Sequence, residues 1–211
     1  MSKLIKNNNK IIYSSYRQIP NSASAWTVTA GSLSTVGTGE TGYVQAGAAN
    51  TIASIANTQA YGEYYFDFYK GADANTMEVA FIASAVGIQM TYEGYLFRFF
   101  GTGESIRVTK SNIGSVSVLF VTAASYWSNN TWYQVKITRS ATGVFTTYTR
   151  GGALENAWVL VSTAGGVGSN PTTDNTYTNS SYFVVDLDAG DRIANVRFKP
   201  STGYHTTLTY L

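Results

Sequence analysis

The 211-residue chain has a length typical of one large β-sandwich, and 44% apolar with 14% aromatic residues can fill a core without disulfides or a metal. Its 14 lysines and arginines nearly balance 12 aspartates and glutamates, which excludes the charge footprint of a nucleic-acid-binding protein. The absence of cysteine excludes disulfides, thiol chemistry and zinc-thiolate sites, and no apolar run of about 18 residues is present to cross a membrane.

Charged residues make up only 12% of the chain, while Gly, Ser, Thr, Asn and Tyr are abundant. A surface of hydroxyls, amides and tyrosines forms hydrogen bonds without strong charge repulsion. Such a composition is typical of adhesins, carbohydrate binders and packed virion subunits. We therefore expect partners bound through a surface, with neither nucleic acid nor membrane among them and no cofactor.

Residues 1–25 differ from the rest of the chain and begin with an Asn-rich segment that contains Lys3, Lys6 and Lys10. They predict a short N-terminal arm or a first strand, and residues 26–211 the β-sandwich domain. The lysines favour a solvated arm or a subunit contact. Because no apolar run follows these basic residues, we expect no signal peptide.

The middle of the chain alternates apolar and polar residues with period two, which predicts many short strands. Tyr64, Phe66 and Phe68 alternate with Tyr65, Asp67 and Tyr69. Further strands are predicted at Met77–Ala83, Tyr95–Phe100, Ile106–Lys110, Val116–Val121, Ala157–Thr163, Ser181–Leu187 and Arg192–Lys199. No convincing helix appears.

The clearest hairpin joins Trp132–Arg139 to Val144–Arg150, with Tyr133, Val135 and Ile137 on one face. A polar loop, Ala164–Ser180, follows the next strand. Its length predicts either a mobile element that contacts a ligand or a plain surface connection.

The hairpin resembles the laminin-G and concanavalin-A-like lectin group, in which a W-Y-x-V-x-I-T-R strand turns through a glycine into an F-T-x-Y strand. Here Trp132–Arg139, Gly143 and Phe145–Tyr148 carry that pattern, and Tyr61–Lys70 is similar to the group's aromatic early strand. The resemblance spans about residues 26–199. It implies an all-β fold, a two-sheet antiparallel jelly-roll sandwich.

The Asn-, Tyr- and Gly-rich composition, the arm and the missing signal resemble a tailed-phage virion protein. This resemblance implies a non-enzymatic structural or adhesive subunit located in the virion, such as a capsid decoration, head fibre or tail component. It would form a homo-oligomer and contact other virion proteins. A carbohydrate-binding host-recognition module is the alternative, and a glycoside hydrolase is the third hypothesis.

Candidate catalytic groups are few. Retaining glycosidases need two carboxylates about 5 Å apart. Glu63 and Asp67 share a predicted strand face but flank aromatic residues near a strand start, so we expect no catalysis from them. His205, the single histidine, would have to be the base of any triad, and its place near the C-terminus favours a strand-end or interface role.

The run from Asp186 through Asp188 to Asp191 surrounds Gly190 and offers hard oxygen ligands that could hold Ca²⁺. The competing interpretation is a turn between two strands, shaped by bonds from the aspartate side chains to the backbone. Aromatic rings near predicted loop ends could instead stack on sugar rings. The candidates are Trp26, Tyr92, Tyr126, Trp127, Trp132, Trp158 and Tyr177.

Overall fold

The computed structural model describes residues 3–7, 10–14, 16–71, 75–152, 154–164 and 167–201. The first half of the chain forms β1 (Lys3–Asn7), β2 (Lys10–Ser14), β3 (Arg17–Gln18), β4 (Thr27–Ala30), β5 (Leu33–Val36), β6 (Tyr43–Ala46), β7 (Thr51–Ala56), β8 (Gly62–Tyr69) and β9 (Thr76–Ala83). The second half forms β10 (Gly94–Phe100), β11 (Ser105–Asn112), β12 (Ser115–Val121), β13 (Trp132–Arg139), β14 (Val144–Gly151), β15 (Leu154–Leu160), β16 (Thr172–Thr173), β17 (Tyr182–Leu187) and β18 (Arg192–Pro200). Short 3₁₀ turns cover Ala23–Ala25 and Gly39–Thr41.

The strands form two antiparallel sheets packed face to face, which confirms the predicted two-sheet sandwich. The seven-stranded sheet has the order β12-β11-β10-β9-β17-β7-β4. The nine-stranded sheet has the order β15-β14-β13-β8-β18-β6-β5, with β16 on β14 and β3 on β18. Since β3 pairs with β18 and Ile19 is buried in the core, residues 17–19 already belong to the sandwich.

The core between the sheets is aromatic because the inward positions of the central strands carry rings. Phe66 and Phe68 of β8 face the other sheet, and the centroids of Phe68 and Phe99 are 3.8 Å apart. Tyr133 of β13 stacks on Phe68 of the paired strand β8, with ring centroids 5.5 Å apart. Tyr133, Val135 and Ile137 are all buried, as predicted for one face of the hairpin. Burial of these rings stabilises the sandwich without disulfides.

A second, smaller apolar cluster lies on the outer side of the seven-stranded sheet. It contains Ala80, Ala83, Tyr92, Leu96 and Val184, with Tyr92 supplied by the connection between β9 and β10. That connection can lie close to the sheet because β10 begins at Gly94, where an added Cβ would be 1.9 Å from the carbonyl oxygen of Ile82. The chain therefore covers part of this outer face itself.

The predicted loop Ala164–Ser180 is anchored to the sandwich. Arg139 is buried, and its guanidinium donates to the Asp174 carbonyl (3.3 Å) and to Asn175 Oδ1 (3.2 Å). Tyr95 Oη and Lys110 Nζ donate to the Asp174 carboxylate at 2.6 and 2.7 Å. Burial raises the pKa of the Asp174 carboxyl, but these hydrogen bonds lower it by more, to about 2. The loop is thus held by charge-assisted hydrogen bonds.

In the described part of the chain, no helix has the length and apolar character required to span a membrane. The side chains of Lys3, Lys6 and Lys10, and all of His205, lie outside the described residues.

Candidate functional site

The outer face of the nine-stranded sheet concentrates polar, charged and aromatic side chains, and we call it the open face. Along β8 and β13 buried and partly exposed residues alternate strictly, so one set of side chains enters the core and the other lies on this face. The partly exposed set on these strands is Glu63, Tyr65, Asp67, Tyr69, Trp132, Gln134, Lys136 and Thr138. Neighbouring strands extend the open face with Tyr43, Tyr148, Arg150, Trp158, Arg192, Asn195, Arg197 and Lys199.

Asp67 is at the centre of a hydrogen-bond network on the open face. Gln134 Nε2 donates to Asp67 Oδ1 (2.8 Å), and Asn195 Nδ2 donates to Asp67 Oδ2 (2.7 Å). Arg150 Nε in turn donates to Gln134 Oε1. The network crosses β14, β13, β8 and β18, so four adjacent strands fix the position of one carboxylate.

A β-bulge supplies Asn195 to this network. The register between β18 and β8 shifts between Ala194 and Arg197, and Asn195 adopts φ 51°. Asparagine tolerates this left-handed conformation better than most residues. Asn21 clamps the bulge: its Oδ1 accepts from the Asn195 backbone N–H (2.8 Å), and its Nδ2 donates to Asn195 Oδ1 (3.1 Å). The bulge turns an amide toward Asp67.

The two carboxylates of the open face have opposite pKa shifts. Burial raises the pKa of Asp67, and hydrogen bonds from Asn195 and Gln134 only partly offset it. Burial would also raise the pKa of Glu63, but hydrogen bonds from Tyr65 and Lys199 and the charge of Lys136 lower it overall. Lys199 Nζ lies 2.9 Å from Glu63 Oε1. The negative charge of Glu63 is therefore balanced by the neighbouring lysines.

Aromatic rings and cations interleave around the network. The Arg150 guanidinium lies 4.5 Å from the Trp158 ring centroid, and Lys136 Nζ lies 5.8 and 5.5 Å from the rings of Tyr65 and Tyr148. Trp158 is also 6.1 Å from Tyr65, although β14 and β13 separate their strands. Trp158 therefore reaches over the intervening strands and closes one side of the face.

The aromatic residues proposed from the sequence do not form one surface. Trp26, Tyr92 and Trp127 are 7%, 2% and 2% exposed and pack in the two apolar clusters. The prediction that they bind a ligand is therefore wrong, and they are core residues. Trp26 follows the 3₁₀ turn Ala23–Ala25, Trp127 lies in the connection between β12 and β13, and Tyr92 lies in the β9–β10 connection. Each packs its ring into an apolar cluster, where burial of a large aromatic surface stabilises the fold.

The remaining candidates are partly exposed. Tyr126 shares a hydrogen bond with Thr149, and Tyr177 packs edge-on against Tyr95, at separate places on the sandwich. Trp158 and Trp132 lie on the open face, where Trp132 packs against Tyr43 and Tyr69. Gln134 and Asn195 were not predicted as site residues, because an amide side chain gives no sequence signal until the strand pairing that brings it to Asp67 is known.

Glu63 and Asp67 share the open face as expected but lie four residues apart on β8, about 13 Å along the strand at the usual rise. Retaining and inverting glycosidases need their carboxylates closer than that. Each of the two carboxylates is also engaged in its own set of hydrogen bonds. This pair therefore lacks the geometry for glycoside hydrolysis.

The acidic turn between β17 and β18 is held by internal contacts. Asp191 Oδ1 accepts from Lys70 Nζ (3.0 Å) and the Gly71 N–H (2.8 Å), and Asp191 Oδ2 accepts from the Asp188 N–H (3.0 Å). Asp188 Oδ1 accepts from the Asn50 N–H (3.3 Å). These contacts favour the turn interpretation of Asp188 and Asp191.

Asp186 is paired with Glu78 across β17 and β9. Burial, then the charges of Glu78, Asp188 and Asp191, raise the pKa of Asp186 to about 7. In the described ranges, no group of three histidine, aspartate or glutamate side chains is arranged to hold a metal ion. The outer side of the seven-stranded sheet thus contains two acids opposite each other, and Arg98 lies 2.8 Å from one of them, Glu78.

No family model matches the sequence, and no curated protein matches it. Among solved structures, the carbohydrate-binding module CBM66 from Bacillus subtilis is similar with a TM-score of 0.57 and 16% identity, covering 82% of this chain and 93% of that chain. The Ca²⁺-bound exoplasmic/lumenal domain of VIP36 is similar with a TM-score of 0.58 and 16% identity, covering 92% and 97%.

Tailspike protein 2 of the Escherichia coli O157:H7 bacteriophage CAB120 is similar with a TM-score of 0.54 and 12% identity, covering 88% of this chain but 27% of that chain. At these identities the likeness is one of fold. The lectin-type β-sandwich predicted from the hairpin is therefore supported as an architecture.

Proposed function

We propose that this protein is a carbohydrate-binding module and that the sugar binds on the open face, around Asp67. The observation that carries the proposal is the combination of a fixed carboxylate, two amides and a guanidinium with flanking aromatic rings. Sugar hydroxyls both donate and accept hydrogen bonds, and the apolar faces of sugar rings stack on aromatic side chains. The open face offers both kinds of contact side by side.

The fold supports the same proposal. CBM66, by its name a carbohydrate-binding module, shares the architecture over most of its length. We therefore favour the carbohydrate-binding module, the alternative prediction, over the virion structural role that was the first prediction from the sequence. It assigns the protein a binding role, consistent with the separation of Glu63 and Asp67.

A glycan array, followed by calorimetry on the strongest ligand, tests the proposal. Trp132→Ala and Trp158→Ala each remove a ring from the open face, and each should weaken binding several-fold to about tenfold. Phe100→Ala is the matched control, because Phe100 is a partly exposed ring on the seven-stranded sheet that also stacks on arginine. The proposal fails if no glycan binds the wild type, or if Phe100→Ala weakens binding as much as Trp158→Ala.

A second candidate is a role in a phage particle, with the module as a host-recognition part of a larger assembly. The likeness to part of a tailspike supports it, as does the low share of charged residues. On the edge strand β12, Val116 and Val118 are 39% and 41% exposed and suit a contact in a homo-oligomer or with another virion protein. Immunogold labelling of intact particles tests the virion location, and light scattering tests the oligomer.

A further inference from the structure

Basic side chains outnumber acidic ones on the open face. Lys136, Arg150, Arg192, Arg197 and Lys199 lie there with only Glu63 and Asp67 among the described side chains. The whole chain has a formal charge of only +2, so the open face holds more of the positive charge than its share. Both carboxylates are already engaged, Glu63 by Lys199 and Asp67 by the two amides.

Two of the arginines retain hydrogen-bonding capacity. Among the described residues, the buried Nε atoms of Arg192 and Arg197 have no hydrogen-bond partner, and neither guanidinium forms an ion pair. A buried donor without an acceptor costs free energy, more so when it is charged. A ligand that brings acceptor oxygens to the terminal Nη groups of the same guanidiniums would offset part of that cost.

Both guanidinium groups are held by ring stacking. The Cζ atom of Arg192 lies 4.9 and 4.2 Å from the ring centroids of Tyr43 and Tyr69, and that of Arg197 lies 5.2 Å from the ring of Tyr65. Stacking uses the faces of the guanidinium and leaves the in-plane N–H groups for a planar or tetrahedral anion. The arginines are thus oriented before a ligand arrives.

The two arginines flank Asp67. In the register of β18 with β8, Arg192 is opposite Tyr69, Ala194 is opposite Asp67 and Arg197 is opposite Tyr65. At the usual rise per residue, each arginine therefore lies about 7 Å along the strand from the centre of the network. A saccharide that donates a hydroxyl to Asp67 would place its substituents near one or both arginines.

We infer that the open face recognises an acidic saccharide, one whose carboxylate or sulfate groups accept hydrogen bonds from Arg192 and Arg197 while neutral hydroxyls contact Asp67 and Gln134. This inference rests on the proposed function and names its ligand class. The fixed carboxylate at the centre distinguishes the face from a site for a nucleic-acid backbone, since Asp67 would repel a phosphate placed over it.

Calorimetry of the full chain with defined oligosaccharides tests the inference. The probes are an oligogalacturonide for carboxylates, a sulfated dextran oligosaccharide for sulfates, a neutral malto-oligosaccharide and an oligodeoxythymidylate as a sugar-phosphate polyanion. We expect one acidic saccharide to bind at least about tenfold more tightly than the neutral one, with affinity falling as NaCl rises toward about 0.5 M. The class that binds identifies the anion.

Arg192→Met and Arg197→Met remove the donors but keep much of the side-chain volume, and each should weaken acidic-saccharide binding by about tenfold or more. Arg107→Met is the matched control, because Arg107 also stacks on a ring (Phe100, 4.7 Å) and also has a buried, unpartnered Nε, but lies on the seven-stranded sheet. Arg192→Lys retains the charge without the planar fork and should be intermediate. Circular dichroism confirms that each variant is folded.

Several results would overturn the inference. Neutral glycans that bind better than either acidic probe would refute it and leave the proposed function intact, whereas no binding by any glycan on the array or in solution refutes both. Oligodeoxythymidylate bound as tightly as the acidic saccharide would show a general polyanion site. An equal loss in Arg107→Met would show that the effect comes from net charge alone.

Discussion

The outer faces of the two sheets arise from the same alternation of inward and outward side chains, but they differ in which residues cover them. On the seven-stranded sheet the β9–β10 connection brings Tyr92 onto Ala80, Leu96 and Val184, and these residues form a second apolar cluster on part of the outer side. On the nine-stranded sheet the outward positions around Asp67 carry amides, cations and partly exposed rings. The chain itself covers part of the first face, which we call the sealed face, and leaves the second available to a ligand.

Residue type alone does not mark a binding surface. Tyr92 and Trp158 are both large aromatic residues near loops in the sequence, yet one is 2% exposed and the other partly exposed over Arg150. Tyr92 is buried because it belongs to the β9–β10 connection, which packs on the outer side of its sheet, whereas Trp158 lies on the strand β15 of the open face. We therefore expect changes on the sealed face to affect stability first and changes on the open face to affect binding first.

The largest stability effect should come from Tyr92→Ala on the sealed face. Removal of this buried ring leaves a cavity between the connection and the sheet and should destabilise the fold by about 3 kcal/mol. Urea denaturation measures the loss, and glycan affinity measured well below the transition should be unchanged. A change of less than about 1 kcal/mol would show that the connection does not seal this face.

A smaller stability effect, with a larger effect on binding, is expected from Asp67→Ala on the open face. The variant leaves Gln134 Nε2 and Asn195 Nδ2 without their acceptor and should lose about 1–2 kcal/mol, because both groups can turn partly to water. Sugar binding should fall by at least about tenfold. Calorimetry and urea denaturation on the same sample separate the two effects, and unchanged affinity would remove Asp67 from the site.

The smallest effect concerns the pH dependence contributed by Asp186 on the sealed face. Burial and the charges of Glu78, Asp188 and Asp191 raise its pKa to about 7, so the folded chain binds this proton more tightly than the unfolded chain. The stability from this group is complete below about pH 4 and is lost as the pH rises toward 7. Asp186→Asn should remove that loss.

Asp186 is partly exposed, so solvent screening reduces the effect, and Asp186→Asn should be more stable than the wild type at pH 8 by on the order of 1 kcal/mol. At pH 4 the two proteins should be equally stable. Glu40→Gln, which changes an exposed carboxylate, is the control. Thermal unfolding of the three proteins across this pH range measures the difference. A gain that is equal at pH 4 and pH 8 would assign it to packing.

The strands with large apolar residues were predictable from the sequence. Met77–Ala83, Tyr95–Phe100 and the hairpin Trp132–Arg139 with Val144–Arg150 match β9, β10, β13 and β14 to within a residue at either end. No strand was predicted at residues 27–56, where β4–β7 lie. Those strands are short and rich in Ala, Ser and Thr, so they lack the large-residue alternation on which the prediction depended.

The open face was less predictable because it depends on pairing between distant strands. Asp67 and Gln134 become partners through the β8–β13 register, and Asn195 joins them through a bulge that no local pattern indicated. Trp132 and Trp158 were among the aromatic candidates, but burial decided against Trp26 and Trp127. Tertiary context, not propensity, selected the site.

Amide chemical-shift mapping by NMR locates the bound ligand on the protein. With the strongest glycan from the array, we expect the largest shift changes along β8, β13 and β18, centred on Asp67, Gln134 and Asn195. Changes concentrated instead around Tyr92 and the β9–β10 connection, or along the edge strand β12, would show that the ligand does not bind on the open face.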